Sequence, residues 1–160
     1  MPKIILLVAF LSLSLLRAEE YPFIGLSVAT QKIDIRSDNS SATGFDLRIG
    51  RQTLDWRTIF AYAYSKDYQS LSIEIDKILF DDLFGTAKVR PYLGASAGFL
   101  KLDHDFLDDK NGYYYGGNFG FIFYATDRMD IDLSYHYQWI GSIDDADHMQ
   151  GATLSLHYFF

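Results

Sequence analysis

The feature that most constrains this chain is a two-residue alternation that recurs eight times beyond residue 20. Bulky apolar side chains occupy every second position, with glycine, alanine, serine or a charge between them. Period two belongs to a strand with two unlike faces, because successive side chains point to opposite sides of a sheet. The eight segments cover residues 21–30, 42–51, 56–65, 68–77, 89–100, 114–124, 129–140 and 151–160. In the first, Ile24, Leu26 and Val28 lie opposite Phe23, Gly25, Ser27 and Ala29; in the second, Phe45, Leu47 and Ile49 lie opposite Asp46, Arg48 and Gly50. The seventh sets Ile131, Leu133, Tyr135, Tyr137 and Trp139 against Asp130, Asp132, Ser134, His136 and Gln138.

Eight such strands suit a soluble sandwich or barrel with the apolar face inside, or a membrane barrel with that face against lipid. The composition of the other face favours the second. A face turned to bulk water has no need of small residues, yet here it carries Gly, Ala and Ser among scattered charges, which suits the crowded interior of a narrow barrel. Segments of about ten residues match the length that crosses hydrocarbon at a steep tilt. The expectation is an all-β, eight-stranded antiparallel up-and-down transmembrane β-barrel spanning 19–160. Trp56, Tyr64, Tyr137, Trp139, Tyr158 and Phe160 sit near segment ends, where interfacial aromatic girdles belong.

Connections follow the same logic. Short turns are expected near residues 51–55 and 125–129, and longer outer loops, rich in Asp, Asn, Ser and Gly, at about 31–41, 101–113 and 141–150. The stretch 78–88 breaks the pattern. It is long for a turn on the inner side and contains Ile78, Leu79, Phe80, Leu83 and Phe84, so it either extends the fourth strand or forms a small helical cap.

Residues 1–18 have a separate purpose. Lys3 precedes an apolar run from Ile4 to Leu16, and Ala18 stands before Glu19 and Glu20, the layout of a secretory signal peptide cleaved after Ala18. That run is too short for a spanning helix, which needs roughly 20 apolar residues. Export would leave 12 basic and 21 acidic residues. This acidic balance, with no basic stripe, excludes nucleic acid as a partner. Without cysteine, disulfides and thiolate metal sites are excluded as well.

Four stretches carry a family resemblance: the leader, RPYLGASAGF at 90–99, YGGNFGFIFY with ATDRM and DIDLSYHYQW, and LSLHYFF at the end. Together they resemble the small outer-membrane β-barrel family that includes the OmpA-type and OmpX-type barrels. The resemblance implies location in a Gram-negative outer membrane and contact with its lipid and lipopolysaccharide; the barrel is expected to be a monomer. It also implies that Leu154, Leu156, Tyr158 and Phe160 form the C-terminal signal met by the outer-membrane assembly machinery. No peptidoglycan-binding domain is expected after Phe160.

Candidate chemistry lies on the small-residue face. Asp46, Arg48, Arg57, Glu74, Asp76, Arg90, Asp130, Asp132 and His136 should point into the lumen and join in a polar network that fills it. The alternatives are a narrow porin-like pore and a lipid A-modifying enzyme. For catalysis the best constellation is Ser134 with His136 and Asp132, but these face the lumen, away from lipid. His136 and His157 lie too far apart to share a metal, and the acidic loops around His104 and His148 lack EF-hand spacing. The expectation is therefore a non-enzymatic barrel without cofactor or metal, serving envelope integrity or surface contacts through its loops.

Overall fold

In the computed structural model, which describes residues 19–35, 38–81, 85–104, 107–143 and 146–160, the chain forms eight strands. They are β1 (Tyr21–Ile35), β2 (Asp38–Gln52), β3 (Trp56–Tyr64), β4 (Tyr68–Ile78), β5 (Val89–His104), β6 (Leu107–Thr126), β7 (Met129–Gly141) and β8 (Ala146–Phe159). Each pairs antiparallel with its chain neighbours, and β1 pairs with β8 to close the barrel. Closure runs from Phe23 opposite Phe159, through Leu26 opposite Leu156, to Ile33 opposite Met149. Phe160 lies just past the strand, and its amide still donates to the Pro22 carbonyl at 3.1 Å. The proposed leader, residues 1–18, lies outside the described residues.

The strand ends correct the expected loops. Most of 31–41, 101–113 and 141–150 is strand, because the β1–β2 ladder continues to Ile35 opposite Asp38 and the β5–β6 ladder to His104 opposite Leu107. The physical reason is a reversal in what faces inward. Through the body of the barrel the apolar side chains point out: Leu26, Phe45, Leu71, Phe99, Phe119 and Leu154 are all exposed. Towards the long hairpins they point in, where Ile33, Tyr68, Leu100, Leu102, Tyr114, Ile143 and Met149 form a buried cluster with Ala42, Ala63 and Ala146. This internal apolar cluster gives the extended hairpins a core of their own.

At the opposite end, which carries both termini, two connections are tight. Thr53 Oγ1 accepts from the Trp56 amide at 3.0 Å across the β2–β3 turn, and Thr126 Oγ1 accepts from the Arg128 amide at 3.2 Å between β6 and β7. The β4–β5 connection is longer and begins after Ile78; the described residues of it contain no helix, so the helical cap is not found among them. Phe80 there has a positive φ of 39° and an exposed ring, a conformation that costs a bulky residue energy.

Candidate functional site

The lumen is where the chain concentrates its polar chemistry. At its centre Arg57 of β3 is wholly buried. Its Nε donates to Asp76 Oδ2 at 2.9 Å, directly across the β3–β4 ladder, and its Nη2 donates to Asp132 Oδ2 on β7 at 2.6 Å. The guanidinium lies 4.5 Å over the Tyr92 ring, and the Tyr92 hydroxyl donates to Asp132 Oδ1 at 2.9 Å. Asn118 completes Asp76 by donating to its Oδ1 at 2.8 Å. Four strands are thus tied across the barrel by one cation. A buried ion pair of this kind is held by the number and geometry of its hydrogen bonds, which offset desolvation.

A second centre stands beside it. Arg48 donates to Ser155 Oγ at 2.7 Å and to Glu74 Oε1 at 3.1 Å, linking β2 to β8 and β4. Below, His157 Nδ1 meets Asp130 Oδ1 at 2.7 Å, both side chains fully buried, with the imidazole 4.7 Å from the Phe23 ring. Glycine makes room for these groups. A Cβ on Gly94 would overlap the Asp76 carboxylate, and one on Gly25 would overlap the His157 ring. The small residues of the inner face are thus the space into which large polar side chains from neighbouring strands fold.

The structure brings Arg48, Arg57, Glu74, Asp76 and Asp132 together, and adds Tyr92, Asn118 and Ser155 of the same inner face as their hydrogen-bond partners. It does not bring in Arg90. That side chain turns to the terminal end, where it donates to the carbonyls of Phe80 at 3.0 Å and Leu54 at 2.7 Å and to Asp81 at 2.8 Å. Two turns end near it with unpaired carbonyls, and its long fork reaches them more readily than the crowded centre. Asp46 faces the lumen but joins no ion pair among the described residues, and its Oδ1 lacks a hydrogen-bond partner. His136 is buried with Nε2 unpartnered.

Ser134 and His136 share the lumen face of β7 as expected, yet no hydrogen bond joins them, and Asp132 is taken up by Arg57 and Tyr92. His157 stands opposite Asp130, whereas His136 stands opposite Gly151, six positions along the ladder and about 20 Å away at ~3.3 Å per residue. Apolar side chains crowd the lumen on both sides of the Arg57 guanidinium. Ile78, Tyr92 and Ile122 pack together near the terminal end, and the apolar cluster of the hairpins fills the other.

The closing strand presents Leu154, Leu156, Tyr158 and Phe160 outward; Phe160 is 71% exposed. Aromatic side chains gather where the outer face changes character. Tyr135 donates to Gln150 at 2.7 Å and Tyr62 to Gln69 at 3.3 Å, each hydroxyl reaching from an apolar surround to a polar side chain nearer the hairpins. Tyr137 stacks on His148 at 5.1 Å and meets Trp139 edge-on at 5.1 Å. At the terminal end Trp56 lies under Lys77, 5.1 Å from its ammonium, with Tyr21 and Tyr158 also exposed there.

No family model matches the chain, and no curated protein matches it. Among solved structures it is similar to Neisserial surface protein A, with a TM-score of 0.68 at 20% identity over 87% of this chain and 97% of that one. It is also similar to outer membrane protein H of P. aeruginosa, with a TM-score of 0.62 at 21% identity over 88% and 99% of the two chains. A third likeness is to Ail, the attachment invasion locus protein of Yersinia pestis, in complex with the heparin analogue sucrose octasulfate: TM-score 0.60, 19% identity, 89% and 99% covered. At these identities the likeness concerns architecture, and with the closed antiparallel ladder and the outward apolar band it leads to one conclusion: the chain has the fold of the small eight-stranded outer-membrane β-barrels.

Proposed function

We propose that the protein is an integral, monomeric barrel of a Gram-negative outer membrane, exported by cleavage after Ala18, and that it supports envelope integrity or surface contacts without catalysing a reaction. The observation that carries this is the inverted wall. Phe99 and Leu26 are 73% and 68% exposed in a band that encircles the barrel, while Arg57, Asp76 and Asp132 are wholly buried inside. An apolar band of that extent is unsustainable in water and is what a bilayer requires. Lipid and lipopolysaccharide are its expected surroundings, and Leu154, Leu156, Tyr158 and Phe160 the strand face offered to the assembly machinery.

The filled lumen supports a scaffold over a pore, since a conducting path needs a continuous polar opening and this one is interrupted by two apolar layers and an ion-pair layer. The commitment of Asp132 to Arg57 and Tyr92, facing the lumen and away from the outer wall, supports a scaffold over a lipid-modifying enzyme. Fractionation with heat-modifiable gel migration tests the whole reading: the unheated protein from outer membranes runs faster than the boiled one, and its mature N-terminus is Glu19. Recovery as a soluble, lipid-free monomer overturns it. Unchanged lipid A mass spectra on expression, and planar bilayers without discrete conductance steps, are the expected results for the two rival activities.

A further inference from the structure

Between the Arg57 layer and the apolar cluster of the hairpins the lumen opens into a polar cavity of about 50 Å³. Gln31, Asp46, Arg48, Glu74, Asn118 and His136 contribute to its walls. Its hydrogen-bonding capacity is unbalanced. Gln31 Oε1, Asp46 Oδ1 and Asn118 Oδ1 are acceptors without a donor and Arg48 Nε is a donor without an acceptor, while His136 Nε2, also unpartnered, serves as either according to its tautomer. Asn118 and His136 are each more than nine-tenths buried. Buried polar atoms left in this state carry a free-energy cost unless an occupant satisfies them.

The charge count points the same way. Asp46, Glu74, Asp76, Asp130 and Asp132 face the lumen, against the guanidiniums of Arg48 and Arg57. Arg57 is committed to Asp76 and Asp132, Arg48 to Glu74, and Asp130 is met by His157. Asp46 joins no ion pair among the described residues: the Arg48 guanidinium acts on it electrostatically but is hydrogen-bonded to Glu74 and Ser155, and a half-buried carboxylate without a direct ion pair draws a counter-charge. Room for one exists. At about 10–15 Å³ of such space per water, the cavity takes roughly three to five water-sized occupants.

We propose that this cavity is a binding site for a partly hydrated alkali cation, held by the Asp46 carboxylate and the side-chain carbonyl oxygens of Gln31 and Asn118. The donors are hard oxygens with a single free carboxylate. No group of three or more His, Cys, Asp or Glu is placed to hold a metal ion among the described residues, so the set suits a singly charged ion better than a divalent one. Water bound to the ion would donate onward to His136 Nε2 in the tautomer that carries its proton on Nδ1. The cation thereby completes the electrostatics of the lumen, and its position above the Arg57 layer makes it a structural ion, not one in transit. This inference is independent of the proposed envelope role.

Crystals of the refolded full barrel grown with thallium(I), an alkali-cation mimic, should show an anomalous peak inside the lumen within coordination distance of Asp46 Oδ1. A lumen without such a peak overturns the proposal, leaving water and a protonated carboxyl as the contents. In parallel, the midpoint of thermal unfolding, read by gel migration, should lie a few degrees higher in sodium chloride than in N-methyl-D-glucamine chloride of equal ionic strength. That difference should be lost in Asp46→Asn and kept in Asp147→Asn, whose carboxylate is on the outer surface. A wild-type protein indifferent to the choice of cation, or a sodium shift that survives Asp46→Asn, refutes the site.

Discussion

The body of the barrel and its hairpin extension are one continuous sheet with opposite polarity. In the body, Ile24, Leu26 and Val28 of β1 face out and Ser27 faces in; five residues further along the same strand, Lys32 is outside and Ile33 inside. β5 reverses between Phe99, outside, and Leu100, inside, and β8 between Leu154, outside, and Met149, inside. The strand geometry is unchanged across the reversal; in a membrane-embedded barrel, as proposed above, only the solvent changes. Below it the wall faces an apolar medium and the core must be polar and paired, while above it the wall faces water and the core is held by apolar burial. In the membrane setting proposed above, the reversal marks, in residues, one edge of the hydrocarbon layer, and the tyrosine hydroxyls that reach Gln69 and Gln150 lie along that line.

The two regions should differ in what breaks them. In the body the largest loss is expected from Arg57→Met, which strands the buried carboxylates of Asp76 and Asp132. Removing one side of a buried pair costs about 3–5 kcal/mol, and denaturant unfolding in lipid vesicles should show it as a lowered midpoint. The triple variant Arg57→Met, Asp76→Asn, Asp132→Asn should recover much of that loss, since the charges are then removed together. If the single and triple variants are equally unstable, the pairing is not what fills the centre.

Next in size is the outer wall. Leu133→Arg, midway along β7 and opposite Phe121 and Leu154, should cost about 2–4 kcal/mol. Asp147→Arg, exposed above the reversal on β8, should stay within about 0.5 kcal/mol of wild type. Equal costs at the two positions would erase the boundary drawn here.

How much of this was legible in the sequence follows from the same reversal. A strand read by its alternation is recognised only while the phase holds, so the segments 56–65 and 68–77 fall within a residue of β3 and β4, whose apolar positions keep one phase along almost their whole length. The first, fifth and eighth segments stop short of β1, β5 and β8 where the phase flips, because the polar residues beyond read as loop. In β1 the run Gln31-Lys32-Ile33-Asp34 still alternates, but with its apolar member on the other face. The inward charges were legible because each shares a face with Gly, Ala or Ser. Their partners were less so. Alternation assigns a side to Arg90 but not a height, and a side chain of that length chooses its carbonyls from the turns that happen to lie near it.

A smaller effect is expected within the extension. Leu102→Ala removes a buried side chain from the cluster that also holds Leu100, Ile143 and Met149, at a cost of about 2 kcal/mol, the low end for such a truncation. Because that cluster is separated from the Arg57 layer by the polar cavity, the loss should remain local. Amide exchange along the upper β5–β6 ladder should quicken while the global unfolding midpoint hardly moves. A midpoint shift as large as that of Arg57→Met would mean that the two cores are one cooperative unit.

The smallest effect should come from the terminal end, where Arg90 does for two turns what the apolar cluster does for the hairpins. Arg90→Ala frees the carbonyls of Leu54 and Phe80 and the carboxylate of Asp81. Those groups lie near water, which can replace the lost donors, so the expected cost is about 1 kcal/mol. It should appear as opening of the 79–88 connection and not as loss of the barrel. Limited proteolysis, with protease admitted to the side that carries the termini, should cut that connection sooner in Arg90→Ala than in wild type, while unheated gel migration stays fast. If Arg90→Ala instead lowers the global midpoint as Arg57→Met does, its guanidinium belongs energetically to the lumen network after all, and the alternation of β5 predicts more than the structure grants it.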